Sequence, residues 1–193
     1  MRRTLLAAAS LMLLAACGQT TVSTPATAPA TPAESAAATG CTGTAELPWP
    51  AAQLMIAGNL AGAACADAVA TLEVRNAAGA VLHTFSAPIS QITIAFNPRA
   101  DHATMQADLA SWLASNPFRT ADALPAWPAN AAAPPVTFVP AVDRAAYEAA
   151  RAARRPLYCY PDNGESAACV ALDSATGAVT KLGTERPEAG RAG

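Results

Sequence analysis

Four cysteines place the strongest constraint on what this chain can fold into. Apart from Cys17, the 193 residues include Cys41, Cys65, Cys159 and Cys169, an even number. Three pairings of these four can be drawn, and proximity along the sequence favours Cys41–Cys65 and Cys159–Cys169. Each bridge restricts the unfolded chain and contributes about 2–4 kcal/mol to stability. The sequence therefore predicts a small domain that two disulfides hold together.

Cysteines can instead bind a metal, but their spacing here argues against it. No Cys-x-x-Cys pair occurs, and the chain has only two histidines. Structural zinc sites usually combine closely spaced cysteines with further cysteine or histidine ligands. We predict neither a metal site nor another cofactor.

The first 17 residues have the pattern of an export signal. A positive start, Met1-Arg2-Arg3, precedes an apolar run over 4–16 that ends in Leu14-Ala15-Ala16-Cys17. This ending resembles the lipobox of bacterial lipoproteins. The resemblance implies that residues 1–16 are a cleaved signal peptide and that acyl chains on Cys17 hold the protein to a membrane. The alternative is an ordinary secretory signal that leaves Cys17 free, since the run is shorter than the roughly 20 residues that span a bilayer.

The residue after the cysteine bears on which membrane holds the anchor. Lipoproteins retained in the inner membrane commonly have aspartate there, whereas this chain has Gly18. The resemblance thus implies an outer-membrane anchor and a domain that faces the periplasm. That compartment is oxidising, which agrees with disulfide formation.

Charge and composition exclude one class of partner. Loss of residues 1–16 leaves ten basic residues against 14 acidic ones, a net charge near −4. Nucleic-acid binding depends on clustered Lys and Arg contacts to phosphates, so we expect no nucleic-acid partner. Only ten residues are aromatic, which predicts a modest core that gains from covalent links.

Low-complexity sequence separates the anchor from the domain. Residues 17–40 are mostly Thr, Pro, Ala and Ser, which bury too little apolar surface to offset ordering. We predict a disordered tether there, made extended by its prolines. A single folded domain is expected over 41–183, followed by a flexible tail over 184–193.

Alternating apolar residues predict strands in two parts of the domain. In the first part, Asn76-Ala77-Ala78-Gly79 forms a type I turn that pairs Arg75 with Ala80. This pairing places the following side chains on one face: Leu72, Val74, Val81, His83 and Phe85. A third strand is predicted through Ile92, Ile94 and Phe96. In the second part, strands at 157–160, 169–172 and 179–182 are joined by turns at 161–164 and 174–177.

Two helices are predicted between these groups of strands. The first begins at Asn97-Pro98, or at Asp101 as an alternative cap, and has a stripe of four apolar residues: Met105, Leu109, Trp112 and Leu113. The second covers about 144–155, is capped by Asp143 and ends at Pro156. The fold class is therefore α+β, with small antiparallel sheets of hairpins, two helices and disulfide staples.

Candidate catalytic groups are few. His83 falls on the apolar face of the predicted hairpin, where a hydrogen-bonded core histidine is the favoured interpretation, and His102 is expected to be exposed. No nucleophile elbow, His-Glu-x-x-His pair, phosphate loop or dinucleotide fingerprint occurs. Acidic residues are scattered, so a carboxylate pair can arise only through the fold.

Two further groups of residues have a functional and a structural interpretation. Four arginines make the second helix basic and would suit an anion, although cations near a helix C-terminus are also simply favourable; they are Arg144, Arg151, Arg154 and Arg155. Four aromatic residues would suit a groove for a glycan or peptide, although core packing is favoured; they are Tyr158, Tyr160, Trp112 and Trp127.

These observations predict a non-enzymatic, lipid-anchored envelope protein that binds an envelope protein or peptidoglycan, or has a structural role. Two alternatives remain. The Tyr158-Cys159 strand with Cys169 resembles the lysozyme-inhibitor lipoproteins, which are small β domains with a disulfide; the two predicted helices depart from that pattern. The other alternative is an envelope hydrolase that uses a carboxylate pair.

Overall fold

The computed structural model describes residues 40–129 and 137–186. Within these ranges the chain forms two helices, α1 (His102–Leu113) and α2 (Arg144–Ala152), and two antiparallel sheets. The first sheet has four strands: β1 (Cys41–Trp49), β2 (Leu54–Gly62), β3 (Val69–Arg75) and β4 (Val81–Pro88). The second has five: β5 (Arg119–Thr120), β6 (Phe138–Pro140), β7 (Pro156–Pro161), β8 (Ala167–Asp173) and β9 (Ala178–Glu185). The predicted α+β class is confirmed.

The four-stranded sheet is a simple meander in the order β1-β2-β3-β4. The β3–β4 turn forms as predicted: the amide of Gly79 donates to Asn76 O at 2.9 Å, and Gly79 has φ +79°. The Asn76 side chain also accepts bonds from the amides of Ala78 and Ala80. This left-handed backbone conformation suits Gly79, because glycine carries no Cβ.

Two details of the predicted hairpin region are wrong. A bulge between Val74 and Arg75 pairs Arg75 with Val81, so Val81 leaves the apolar face and is 48% exposed. The predicted strand from Ile92 to Phe96 does not form. Consecutive turns follow a short 3-10 segment there, burying Ile92 and Phe96 but leaving Ile94 65% exposed. A series of turns, not a pleated strand, therefore buries the first and last of these three apolar residues.

The five-stranded sheet has the order β5-β7-β8-β9-β6. Its centre contains the three predicted C-terminal strands, joined by the predicted turns. β9 continues to Glu185, so Thr184 and Glu185 belong to the sheet and not to the flexible tail predicted over 184–193. The short edge strands were not predicted, and neither were β1 and β2.

Both predicted disulfides are present. Cys41 is bonded to Cys65, which links the start of β1 to the segment before β3. Cys159 is bonded to Cys169, its direct partner across the β7–β8 ladder. Each bridge therefore closes a local loop within one sheet.

Both helices begin at a predicted aspartate cap. Asp101 caps α1 through its Oδ1, which accepts from the Thr104 amide at 2.8 Å and lowers the pKa of Asp101. Asp101, the alternative start, is therefore the cap rather than Asn97. Asp143 likewise caps α2 through the Ala146 amide at 2.8 Å. α2 ends at Ala152, before Pro156, because Arg154 adopts φ +49°.

Two hydrophobic cores lie on opposite faces of the five-stranded sheet. The larger core joins the four-stranded sheet, α1 and the face that carries Tyr158 and Tyr160. The smaller core joins α2 to the face that carries the Cys159–Cys169 disulfide. β7 and β8 are therefore buried on both sides. All four residues of the α1 stripe lie in the larger core, as predicted.

Gly58 allows α1 to lie close against β2. A Cβ at this position would lie 3.0 Å from Leu109 and 3.1 Å from Leu113, closer than ordinary contacts. A larger residue would therefore push the helix away from the sheet.

Candidate functional site

An arginine joins the buried disulfide to a carboxylate. The Nη2 of Arg119 donates to Glu185 Oε2 at 2.8 Å and lies 3.0 Å from the Sγ of Cys159. The Glu185 carboxylate and the sulfurs of Cys159 and Cys169 lie within 4.8 Å of one another. Both charged side chains are less than a third exposed. Sequence analysis missed this cluster because it depends on the pairing of distant strands.

Strand pairing brings these groups together. β5 pairs Arg119 with Leu157 at one edge of the sheet, and β9 pairs Glu185 with Ala167. Gly183 on β9 is the partner of Cys169 on β8. Since side chains alternate along a strand, Glu185, two residues after Gly183, projects to the same face as Cys169. The arginine, carboxylate and disulfide thus form one polar group at the margin of the smaller core.

A second polar cluster lies where the two sheets meet. His83 on β4 hydrogen bonds through Nε2 to the hydroxyl of Tyr160 on β7, at 2.8 Å. Asp162 accepts a bond from the Ser166 hydroxyl at 2.6 Å and lies 3.8 Å from the Nζ of Lys181. Burial, with a smaller contribution from Lys181, holds the pKa of His83 below its usual value of 6.5. A neutral His83 in a hydrogen bond fits the core interpretation.

His83 predicts a dependence of stability on pH. Because its pKa is lower in the folded chain, the unfolded chain binds the proton more readily. The stability that the neutral imidazole gives to the folded chain is fully present above pH 6.5. It is lost as the pH falls towards the lower pKa that His83 has in the folded chain. We expect His83→Gln to lower the free energy of unfolding by about 1–3 kcal/mol at neutral pH. Its stability should also fall less than that of the wild type on acidification.

The measurement is chemical denaturation of both proteins above and below pH 6.5. The groups near the imidazole are the Tyr160 hydroxyl and the Lys181–Asp162 pair, and none of them changes in the variant. Equal pH dependence in the two proteins would show that another group is responsible.

The four aromatic residues considered for a glycan or peptide groove lie in the two hydrophobic cores instead. Tyr158, Tyr160 and Trp112 are almost fully buried, and burial raises the pKa values of both tyrosines. The Tyr158 hydroxyl donates to Leu113 O at 2.9 Å. Trp127 belongs to the other core, where it lies edge-on to Tyr147. The core interpretation is confirmed for this set.

The basic groups of α2 and its C-terminus contact acidic or aromatic partners. Arg151 pairs with Glu148 at 3.0 Å, Arg154 with Asp122 at 3.2 Å and Arg155 with Asp173 at 2.8 Å. Arg144 lies over the ring of Trp127, 5.6 Å from its centroid. These contacts favour the structural interpretation of the basic helix over an anion site.

His102 is exposed, as predicted, and has a local partner. Its Nε2 lies 2.6 Å from Thr42 O, and the Gln106 amide donates to Thr44 O at 2.6 Å. Two carbonyl groups of the edge strand β1 are thereby bonded by side chains of α1. This arrangement protects an edge that would otherwise pair with another chain.

A cleft opens between the β7–β8 turn and the β6–β9 edge. Three acidic residues line it: Asp162, Glu165 and Glu185. Two exposed apolar side chains, Ile94 and Val139, also line it. The scattered carboxylates of the sequence thus come to a shared surface, although Asp162 and Glu185 each have a cationic partner.

Among the described residues, Cys159, Cys169 and Glu185 bring three potential metal-binding groups within 4.8 Å of one another. The two sulfurs are bonded to each other, so they are not available as thiolate ligands in this state. The lipidation residue Cys17, the proposed signal and the proposed tether up to residue 39 lie outside the described ranges.

Comparison with known proteins gives no relative. No family model, curated protein or solved structure matches the chain. No helix in the ranges 40–129 and 137–186 is long and apolar enough to cross a membrane.

Proposed function

We propose that this chain is a lipid-anchored protein of the bacterial cell envelope and that its folded domain binds an envelope partner without catalysing a reaction. The observation that carries the envelope assignment is the pair of disulfides, Cys41–Cys65 and Cys159–Cys169. Disulfides of this structural kind form and persist in oxidising compartments. The Leu14-Ala15-Ala16-Cys17 ending supplies the means of anchoring, and Gly18 favours the outer membrane.

The anchor predicts where the protein is found after cell fractionation. Cys17→Ala removes the thiol that would carry the lipid, so the variant should move from the membrane fraction to the soluble fraction. Two or more acyl chains bind a membrane stably, since each buried methylene contributes about 0.8 kcal/mol. Immunoblotting of membrane and soluble fractions measures the change. A variant that stays wholly with the membranes would show that the anchor lies elsewhere in the chain.

We place the partner at the acidic cleft, because it combines exposed apolar and polar groups on one surface. The partner should be an envelope protein or a peptidoglycan component. Ile94→Asp changes a cleft residue that is 65% exposed, whereas Val81→Asp makes the same type of change at a residue 48% exposed on β4. We expect crosslinked envelopes to yield a partner with wild type and Val81→Asp but not with Ile94→Asp. Equal recovery with all three would exclude the cleft.

The carboxylate-pair hydrolase is the second candidate, and it has one observation in its favour. Three carboxylates line the cleft, and glycoside hydrolysis commonly uses two. Against it, the Glu185 carboxylate is engaged by Arg119 and Asp162 by Ser166 and Lys181. Turnover of a peptidoglycan, ester or peptide substrate that disappears in Asp162→Asn would support an enzyme instead of a binding protein.

The lysozyme-inhibitor alternative depends on the β7–β8 hairpin alone. The Cys159–Cys169 disulfide crosses that hairpin, but two helices and a second sheet pack around it. We therefore retain it only as one identity for the envelope partner, which the crosslinking experiment would reveal as a lysozyme.

A further inference from the structure

We propose that Cys159, Cys169 and Glu185 form a redox-gated site for a thiophilic divalent cation such as Zn²⁺, open only when the Cys159–Cys169 disulfide is reduced. The site shares Glu185 with the cleft on which we place the partner, but Cys159 and Cys169 do not line that cleft. The proposal does not depend on the placement of the partner.

The fold places three suitable donor groups around one point. Cys159 and Cys169 are direct partners across the β7–β8 ladder, and the Glu185 carboxylate lies within 4.8 Å of both sulfurs. Thiolates and carboxylates are common zinc ligands, with Zn–S distances of about 2.3 Å. Tetrahedral coordination separates two such sulfurs by roughly 4 Å, which side-chain rotation can supply once the S–S bond is broken. Three ligands leave one coordination position open.

The charges of the cluster balance when a divalent cation is bound. Two thiolates and one carboxylate carry three negative charges, and Arg119 contributes one positive charge. The guanidinium already lies 3.0 Å from the sulfur of Cys159, where it would favour the thiolate form. A carboxylate has two oxygens, so Glu185 can retain Arg119 on one and bind the cation with the other. Such outer contacts orient metal ligands.

The other disulfide lacks this setting. Among residues 40–129 and 137–186, only the Cys159–Cys169 pair belongs to a group of three close metal-binding side chains. Cys41 and Cys65 therefore serve as an internal comparison: they are the same chemical pair without the carboxylate.

The chemistry requires a reductant, which we identify as a dithiol. One sulfur of the dithiol attacks as its thiolate, which breaks the Cys159–Cys169 bond and forms a mixed disulfide; the second sulfur then displaces the protein and closes a cyclic disulfide. Overall, two electrons and the two thiol protons of the dithiol pass to the protein, which yields two cysteine thiols. Cation binding then releases the two thiol protons, as expected for thiolate ligands.

The test uses the full chain carrying Cys17→Ala, because a free Cys17 thiol would compete for metal. A second background adds Cys41→Ser and Cys65→Ser, which leaves only the thiols of interest. The protein is reduced with a phosphine, freed of reductant without air, and titrated with Cd²⁺ while thiolate–cadmium absorbance is recorded. Circular dichroism before and after reduction follows the fold.

We expect one Cd²⁺ per reduced chain in the second background and none in the oxidised chain. Glu185→Gln should weaken binding at least about tenfold, whereas the matched change Glu46→Gln, at an exposed position on β1, should leave it unchanged. Unchanged affinity in Glu185→Gln would overturn the proposal. That includes the case in which reduction unfolds the chain, since free thiols then bind cadmium without the carboxylate.

Discussion

Replacing Trp112 with alanine is expected to lower the free energy of unfolding by about 3–5 kcal/mol. Trp112 is 1% exposed and projects from α1 into the larger core. Its ring contacts Phe85 from the four-stranded sheet and Tyr160 from the five-stranded sheet, with centroids 6.2 and 6.4 Å away. Its Nε1 also donates to Pro161 O at 2.9 Å. Truncation therefore opens a cavity between three packed layers and leaves a carbonyl without its partner.

Chemical denaturation of the purified domain measures this loss. Ser111→Ala is the matched control, since Ser111 precedes Trp112 on the same helix but is exposed. We expect the control to change stability by less than about 0.5 kcal/mol. A loss below about 1 kcal/mol in Trp112→Ala would mean that α1 does not join the two sheets through this ring.

Removing the Cys159–Cys169 disulfide is expected to cost more stability than removing Cys41–Cys65. Each loss should fall within about 2–5 kcal/mol. Loop entropy alone favours the opposite order, because Cys159–Cys169 spans ten residues whereas Cys41–Cys65 spans 24. However, Cys159 and Cys169 are both buried in the smaller core, whereas Cys65 is only partly buried. Alanine substitutions at 159 and 169 therefore add a packing loss to the entropy.

Denaturation of the double variants Cys159→Ala/Cys169→Ala and Cys41→Ala/Cys65→Ala compares the two contributions directly. Folding should be checked in each by circular dichroism. A larger loss of stability in Cys41→Ala/Cys65→Ala would contradict this order. It would mean that loop length outweighs burial and that the contact of Arg119 with Cys159 contributes little to stability.

Local patterns predicted the C-terminal half of the fold well. The aspartate caps of α1 and α2 are visible in sequence because an N-cap needs only one side chain and the amide three residues later. The Cys159–Cys169 pairing follows from two short strands joined by a turn. These features depend on neighbours in the chain, so they can be derived without knowing the tertiary structure.

Features that depend on distant contacts were missed. β1 and β2 contain three glycines and three alanines, so their apolar alternation is weak, and the close approach of α1 requires small residues such as Gly58. Conversely, Ile92 and Phe96 had the spacing of a strand but are buried by consecutive turns. Apolar spacing alone does not reveal such turns, which bury Ile92 and Phe96 but leave Ile94 between them exposed.

The Arg119–Glu185 pair was beyond sequence analysis for the same reason. The two residues are 66 positions apart, and the polar sequence over 184–193 predicts a flexible tail at Glu185. Only the register of β9 against β8, together with the β5–β7 pairing, brings them to the disulfide.

The intact mass of the protein, extracted from cell membranes with detergent, tests the central proposal most directly. We expect a chain that begins at Cys17, carries a diacylglyceryl group with or without a further acyl chain, and weighs four hydrogens less than its fully reduced form because both disulfides are closed. An unmodified chain that retains residues 1–16, or one that starts at Cys17 without lipid, would contradict the proposed envelope lipoprotein.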